Sequence, residues 1–122
     1  MKFPQYQMIA ALALMLASPA AAHHSGAMFD RTKEAVLVGT IKELGWVNPH
    51  SFIRVLVPDA SGQTKEWVVE LGPPNSLVRS GWTRTSLKPG DAVTMKVYPL
   101  KNGASGGTFI GVTLASGKKL GD

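Results

Sequence analysis

Along residues 35–115, apolar and polar positions alternate in short runs separated by Gly, Pro, Asn and Asp. This is the pattern of half-buried strands joined by tight turns. The first run, 35–47 (AVLVGTIKELGWV), is rich in β-branched residues, with Gly39 and Gly45 where a long strand must bend or bulge. Asn48-Pro49 marks a turn. A second strand over 51–57 puts Ile53, Val55 and Val57 on one face and Arg54 on the other. After the turn residues 59–62 (DASG), a third strand over 63–71 faces Trp67, Val69 and Leu71 one way and Glu66, Val68 and Glu70 the other. Gly72-Pro73-Pro74 stops it, and 75–80 reads as a short helix ended by Gly81. The tight turn 87–91 (LKPGD) precedes a fourth strand over 92–98, with Val93, Met95 and Val97 inward. A Gly-rich loop, 99–107, leads into a fifth strand over 108–115. Residues 23–34 are polar and aperiodic and read as an N-terminal arm, and 116–122 as a frayed, flexible tail.

The order strand, strand, strand, helix, strand, strand predicts an all-β domain with one short helix, an OB-like five-stranded barrel over 35–115. Leu77, Val78 and Trp82 are expected on the apolar side of a helix that plugs one barrel end. A small β-sandwich is the competing architecture. At 122 residues the chain has room for one core. The absence of cysteine excludes a disulfide scaffold, a thiol nucleophile, a thiolate zinc site and a Cys-ligated iron–sulfur cluster.

Residues 1–22 stand apart. Lys2 gives a short positive start, 8–17 (MIAALALMLA) is an apolar run of ten, and Ala20-Ala21-Ala22 follows Pro19. Ten apolar residues fit the core of a secretory signal and fall short of the ~20 that span a bilayer. The expected mature chain starts at His23 and is periplasmic, with no stable membrane anchor once the signal is removed. The net charge of +5 includes Lys2, and Lys118-Lys119 is the only adjacent pair of cations. So diffuse a charge favours solubility and does not outline a nucleic-acid footprint, and export removes most nucleic acid as a partner.

The three histidines are the most informative residues for chemistry. His23 and His24 fall at the expected mature N-terminus, and His50 closes the Trp46-Val47-Asn48-Pro49-His50 segment. An N-terminal histidine offers an α-amine and an imidazole on one residue, and a further imidazole completes a three-nitrogen set that suits Cu(II). Met28 adds a soft donor that favours Cu(I). Cleavage one or two residues earlier places a histidine third, a position that also holds Cu(II). The bland alternatives are a solvated terminus for His23-His24 and a turn hydrogen bond for His50. The arm leads into the start of strand one while His50 lies past its end, so a joint site requires the arm to run back along the barrel.

Trp46 and Asn48 in the first loop, with Lys101 and Asn102 in the loop 101–107, frame the surface that OB barrels commonly use for ligands. The glycines of 101–107 fit either a mobile lip or a plain flexible hairpin. Phe52 and Trp67 are read as packing in or beside the core, with a stacking platform as the alternative. Glu66 and Glu70 share a strand face with Val68 in a pattern normal for a solvated surface, and no catalytic residue is assigned. No Gly-x-Ser-x-Gly elbow, His-Glu-x-x-His helix or phosphate-cradling glycine motif is present.

His23-His24-Ser25 with Met28-Phe29-Asp30, Val38-Gly39-Thr40, Trp46 to Ser51, Glu66-Trp67, Pro74-Asn75 with Leu77, Gly81-Trp82 and Leu87 to Asp91 together resemble an uncharacterised family of small exported bacterial proteins, a domain of unknown function. The resemblance covers nearly all of the mature chain. It implies an exported location and this fold, and no reaction. Gly26 departs from the family pattern, which more often has an aromatic there, so looser packing of the arm is expected. The chain is similar, more distantly, to other periplasmic OB-type proteins.

The function expected from the sequence is an exported, non-enzymatic binding or accessory protein. It binds a divalent metal, copper first, through His23 with His24 and His50. The alternative is a metal-independent module that binds a small ligand or a periplasmic protein through the 46–50 and 101–107 loops.

Overall fold

A computed structural model describes residues 26–121. The expected signal segment 1–22 and the histidines His23 and His24 lie outside them. Six strands and one helix follow a single 3-10 turn at Gly26–Met28: β1 (Ala35–Gly45), β2 (Phe52–Pro58), β3 (Thr64–Glu70), α1 (Pro74–Arg79), β4 (Ala92–Pro99), β5 (Gly106–Leu114) and β6 (Lys119–Gly121). β2, β1, β4 and β5 pair antiparallel in sequence round the sheet, and β3 pairs with β2. A parallel pairing of Val68, Val69 and Glu70 with Gly106, Gly107 and Thr108 closes β3 onto β5. The result is the five-stranded OB-like barrel the alternation predicts. The closing pair removes the open edges that the competing sandwich would keep.

The period-2 pattern accounts for the interior. Leu37, Met95, Val112 and Leu120 stand opposite one another across β1, β4, β5 and β6, and all four are buried. Ile53, Val55 and Val69 add fully buried side chains from β2 and β3. Their neighbours one position along face outward, so the faces read from the sequence are those observed. A bulge between Ile41 and Glu43 bends β1, as a strand that serves two partners in a small barrel requires. At Gly39 a Cβ would overlap the Leu56 carbonyl, so only glycine lets β2 approach β1 this closely.

α1 starts one residue earlier than expected, with Pro74 in its first turn. That position suits proline, because the N–H it lacks has no partner there. Leu77 and Trp82 are buried against the barrel end. Val78 corrects the expectation: it is 58% exposed, because it follows Leu77 by about 100° round the helix and points to solvent. The Trp82 ring meets Phe109 edge-on at 5.4 Å.

Two terminal segments differ from the reading above. Residues 116–121, expected to fray, turn at Gly117 and add β6 to the edge of β5. Leu120 is buried, and the Trp82 indole N–H donates to the Gly121 carbonyl at 2.7 Å. The arm is docked despite Gly26. Phe29 is buried and bridges Leu100, the Asp30 N–H donates to the Pro99 carbonyl at 2.8 Å, and the Lys101 N–H donates to the Met28 carbonyl at 2.9 Å. Arg31 lies 5.4 Å from the Tyr98 ring centroid. One buried aromatic and two backbone hydrogen bonds thus do the work expected of a residue at 26. No described helix is long and apolar enough to cross a membrane.

Candidate functional site

The loop 46–51 leaves β1 two residues earlier than expected and returns at Phe52, opposite Gly45. The Phe52 ring covers Gly45 so closely that a Cβ there would overlap it. Arg54 in turn stacks 5.2 Å from the Phe52 centroid, so Phe52 packs beside the barrel and forms no open platform. Trp67 likewise packs against the core. Ser51 anchors the loop: it is fully buried, its Oγ donates to the Val47 carbonyl at 3.3 Å, and its backbone exchanges hydrogen bonds with Gly72 and Leu71. Trp46 is partly buried against the core, whereas Val47, Asn48, Pro49 and His50 are exposed.

Cross-strand register brings His50 to Glu70. Phe52 pairs with Glu70, so the residues preceding β2 overhang the end of β3. The His50 Nδ1 stands 3.6 Å from the Glu70 carboxylate, with the imidazole half exposed. At this distance the two groups are neighbours without a hydrogen bond, and a carboxylate beside a histidine is the kind of partner that orients histidine ligands in metal sites. Glu70 is the site residue that sequence reasoning missed. Twenty positions separate it from His50, and only the strand register reveals the contact. Its strand neighbour Glu66 holds ion pairs with Lys42 at 3.0 Å and Arg54 at 3.9 Å, so the two carboxylates have separate partners.

On the other side of β3, the loop between β4 and β5 is a closed turn. The Asn102 side chain accepts the Ala104 N–H at 2.9 Å, Gly103 takes a φ of +78°, and the Leu100 N–H donates to the Gly106 carbonyl at 3.0 Å. Gly106 and Gly107 belong to β5, so the expected mobile lip shrinks to Lys101–Ser105. Lys101 and Asn102 are exposed at its tip. The Val68 N–H donates to the Ser105 carbonyl at 3.3 Å. The two loops therefore meet the last turns of β3 from opposite sides, at Glu70 and at Val68.

Met28 is half-buried beside Lys101. The arm thus lies against the second loop, and its shortest route to His50 crosses β5 and β3 and does not run the length of β1. Among the described residues, no three His, Asp or Glu side chains cluster closely enough to hold a metal ion. His50 is the one histidine among the described residues, so any further nitrogen donor from an imidazole must come from outside them.

The fold and this loop arrangement define an OB-like barrel with both of its customary ligand-framing loops at one end of β3. A family model matches residues 11–109, and the chain belongs to that family, DUF6152, a family of unknown function. No curated protein and no solved structure matches the chain.

Proposed function

We propose that the protein is an exported, non-enzymatic binding protein that holds a divalent metal ion, copper first, through His23 with His24 and His50. The observation that carries this reading is the pairing of His50 with Glu70 on the barrel face toward which the arm is docked. The path from Phe29 through Leu100 to Glu70 crosses three strand spacings and two residues, roughly 16 Å. His24 precedes Phe29 by five residues, of which Gly26–Met28 form a 3-10 turn rising about 2 Å per residue, so the backbone spans about 13 Å and the imidazole side chains must supply the remainder. Neutral imidazoles and a terminal amine form a nitrogen-rich set that ranks Cu(II) above other divalent ions of the first row.

The test is a Cu(II) titration of processed protein, with its N-terminus verified by intact mass. A chain without His23 and His24 and a His50→Ala variant are titrated beside it. One tight site, lost with the two histidines and weakened by His50→Ala in a folded barrel, supports the reading. Unchanged affinity after removal of His23, or an affinity that a short His-His peptide reproduces, overturns it.

A second reading rests on the exposed apolar tip Val47 beside Trp46, with Asn48, His50, Lys101 and Asn102 around the same end of β3. On this view the two loops hold a periplasmic partner or small ligand, and metal plays no part. Chelator then leaves binding intact while Trp46→Ala abolishes it. Chelator-sensitive binding excludes it.

A further inference from the structure

The outer face of β4, β5 and β6 carries a groove of about 320 Å³ lined by Thr94, Lys96, Gly111, Thr113, Lys119 and Gly121. Register sorts these residues into two rows. Thr94 stands opposite Thr113, and Thr113 opposite Lys119. In the next row Lys96 faces Gly111, and Gly111 faces Gly121. Two glycines side by side leave a floor of bare backbone.

Gly111 borders the bulge of β5 opposite Lys96 and Val97, yet no steric contact requires either glycine. Neither has a positive φ. A Cβ on Gly111 would meet only the Leu120 carbonyl oxygen at 3.6 Å, an ordinary contact, and one on Gly121 would meet nothing within 4 Å. Gly39 is the contrast, since a neighbouring strand occupies its Cβ position. A glycine inside a strand weakens the strand and marks a bulge, a bend or a close approach from outside; the bulge accounts for Gly111, and Gly121 beside it lies away from the bulge. The surroundings indicate the chemistry of the visitor. Among the described residues, Lys96 and Lys119 form no ion pair, whereas most ion-paired acids, Glu43, Glu66 and Glu70, lie with Lys42, Arg54 and His50 about β1, β2 and β3. Val36 and Val38 extend the two rows onto β1 and are 56% and 63% exposed, an apolar margin beside the lysines.

We propose that this groove binds a small organic anion. Its body lies on the Gly111–Gly121 floor, and its acid group is taken by the Lys96 and Lys119 ammonium groups and the Thr113 hydroxyl. The volume is at the lower end for small-molecule sites and admits a ligand of one or two rings. No histidine takes part, so this site is independent of the metal reading.

The test uses 2-naphthalenesulfonate, a flat two-ring aromatic anion, with binding followed by calorimetry. It is titrated into the full processed chain at low ionic strength, with circular dichroism confirming the fold. We expect one saturable site per chain that weakens with added salt. Gly111→Val fills the floor, and the double variant Lys96→Gln/Lys119→Gln removes the charge; each weakens binding by about tenfold or more. Should Gly111→Val fail to fold, Gly121→Val fills the same floor where the space is open. No saturable binding by the folded wild type, or binding that survives both kinds of variant, overturns the proposal.

Discussion

Asp59 shows how far one side chain can define a turn. Its carboxylate accepts hydrogen bonds from the Ser61 hydroxyl, from the Ser61 N–H at 2.9 Å and from the Gln63 N–H at 3.1 Å, closing the hairpin between β2 and β3. The Ser61 hydroxyl leads these donors in holding the carboxyl below its ordinary value of 3.8, against a smaller opposing effect of desolvation. Asp30 is lowered in the same way, chiefly by the Thr32 hydroxyl. A carboxyl lowered in the folded state stabilises it at pH above the ordinary value, and that contribution fades as pH falls through the lowered one. We therefore predict that Asp59→Asn, which keeps an acceptor but no charge, flattens the decline of the melting temperature below about pH 4. Identical acid profiles for variant and wild type would refute this. Glu70 makes a second residue-scale prediction, which rests on the metal reading. If its carboxylate orients His50, Glu70→Gln lowers Cu(II) affinity by about 10- to 100-fold in a competition titration. An unchanged affinity would leave Glu70 holding only the loop.

At the scale of elements, the core strands were legible because β1 and β2 are runs of seven or more residues rich in Val, Ile and Leu, and β4 alternates apolar and polar positions from Val93 to Val97. β6 was not legible, since its three residues, Lys119–Gly121, hold a single apolar side chain. Its stability comes from tertiary contacts, through Leu120 in the core row and the bond from Trp82 to Gly121, and no local pattern signals these. Docking of the arm escaped notice for the same reason, because Phe29 alone carries the burial. The site was half legible: loop position followed from strand order, but the contact between His50 and Glu70 needed the register. These contrasts are measurable. Leu77→Ala should cost about 2–5 kcal/mol in denaturant unfolding, and Val78→Ser, one residue along the same helix, within about 0.5 kcal/mol. Leu120→Ala should cost at least about 2 kcal/mol if β6 is part of the folded unit. A loss near zero would return the segment to the frayed tail the sequence implied.

For the molecule as a whole, the barrel places two unlike surfaces on one small body. The outer side of β1, β2 and β3 is laced with ion pairs, while that of β4, β5 and β6 bears lysines around bare backbone. Gly39 matters at this scale, because the approach it permits lets β1 serve β2 and β4 at once. Gly39→Ala should shift the whole unfolding transition to lower denaturant, with little change in its slope. A native-like midpoint would show that β2 can yield. The parallel seam between β3 and β5 adds a kinetic consequence. Its three residue pairs join positions 38 apart in sequence, whereas β1–β2 and β2–β3 are near neighbours. Distant pairing must meet its loop-closure cost before it is rewarded, so the seam is expected to form late and the chain to fold in milliseconds to seconds. In the native state the ring should then open first at its clasp. The amide of Val68, bonded across the seam to Ser105, should exchange its proton through a lower-energy opening than the amides between β1 and β2. Equal protection at both places in native-state exchange would mean that the barrel opens only as a unit.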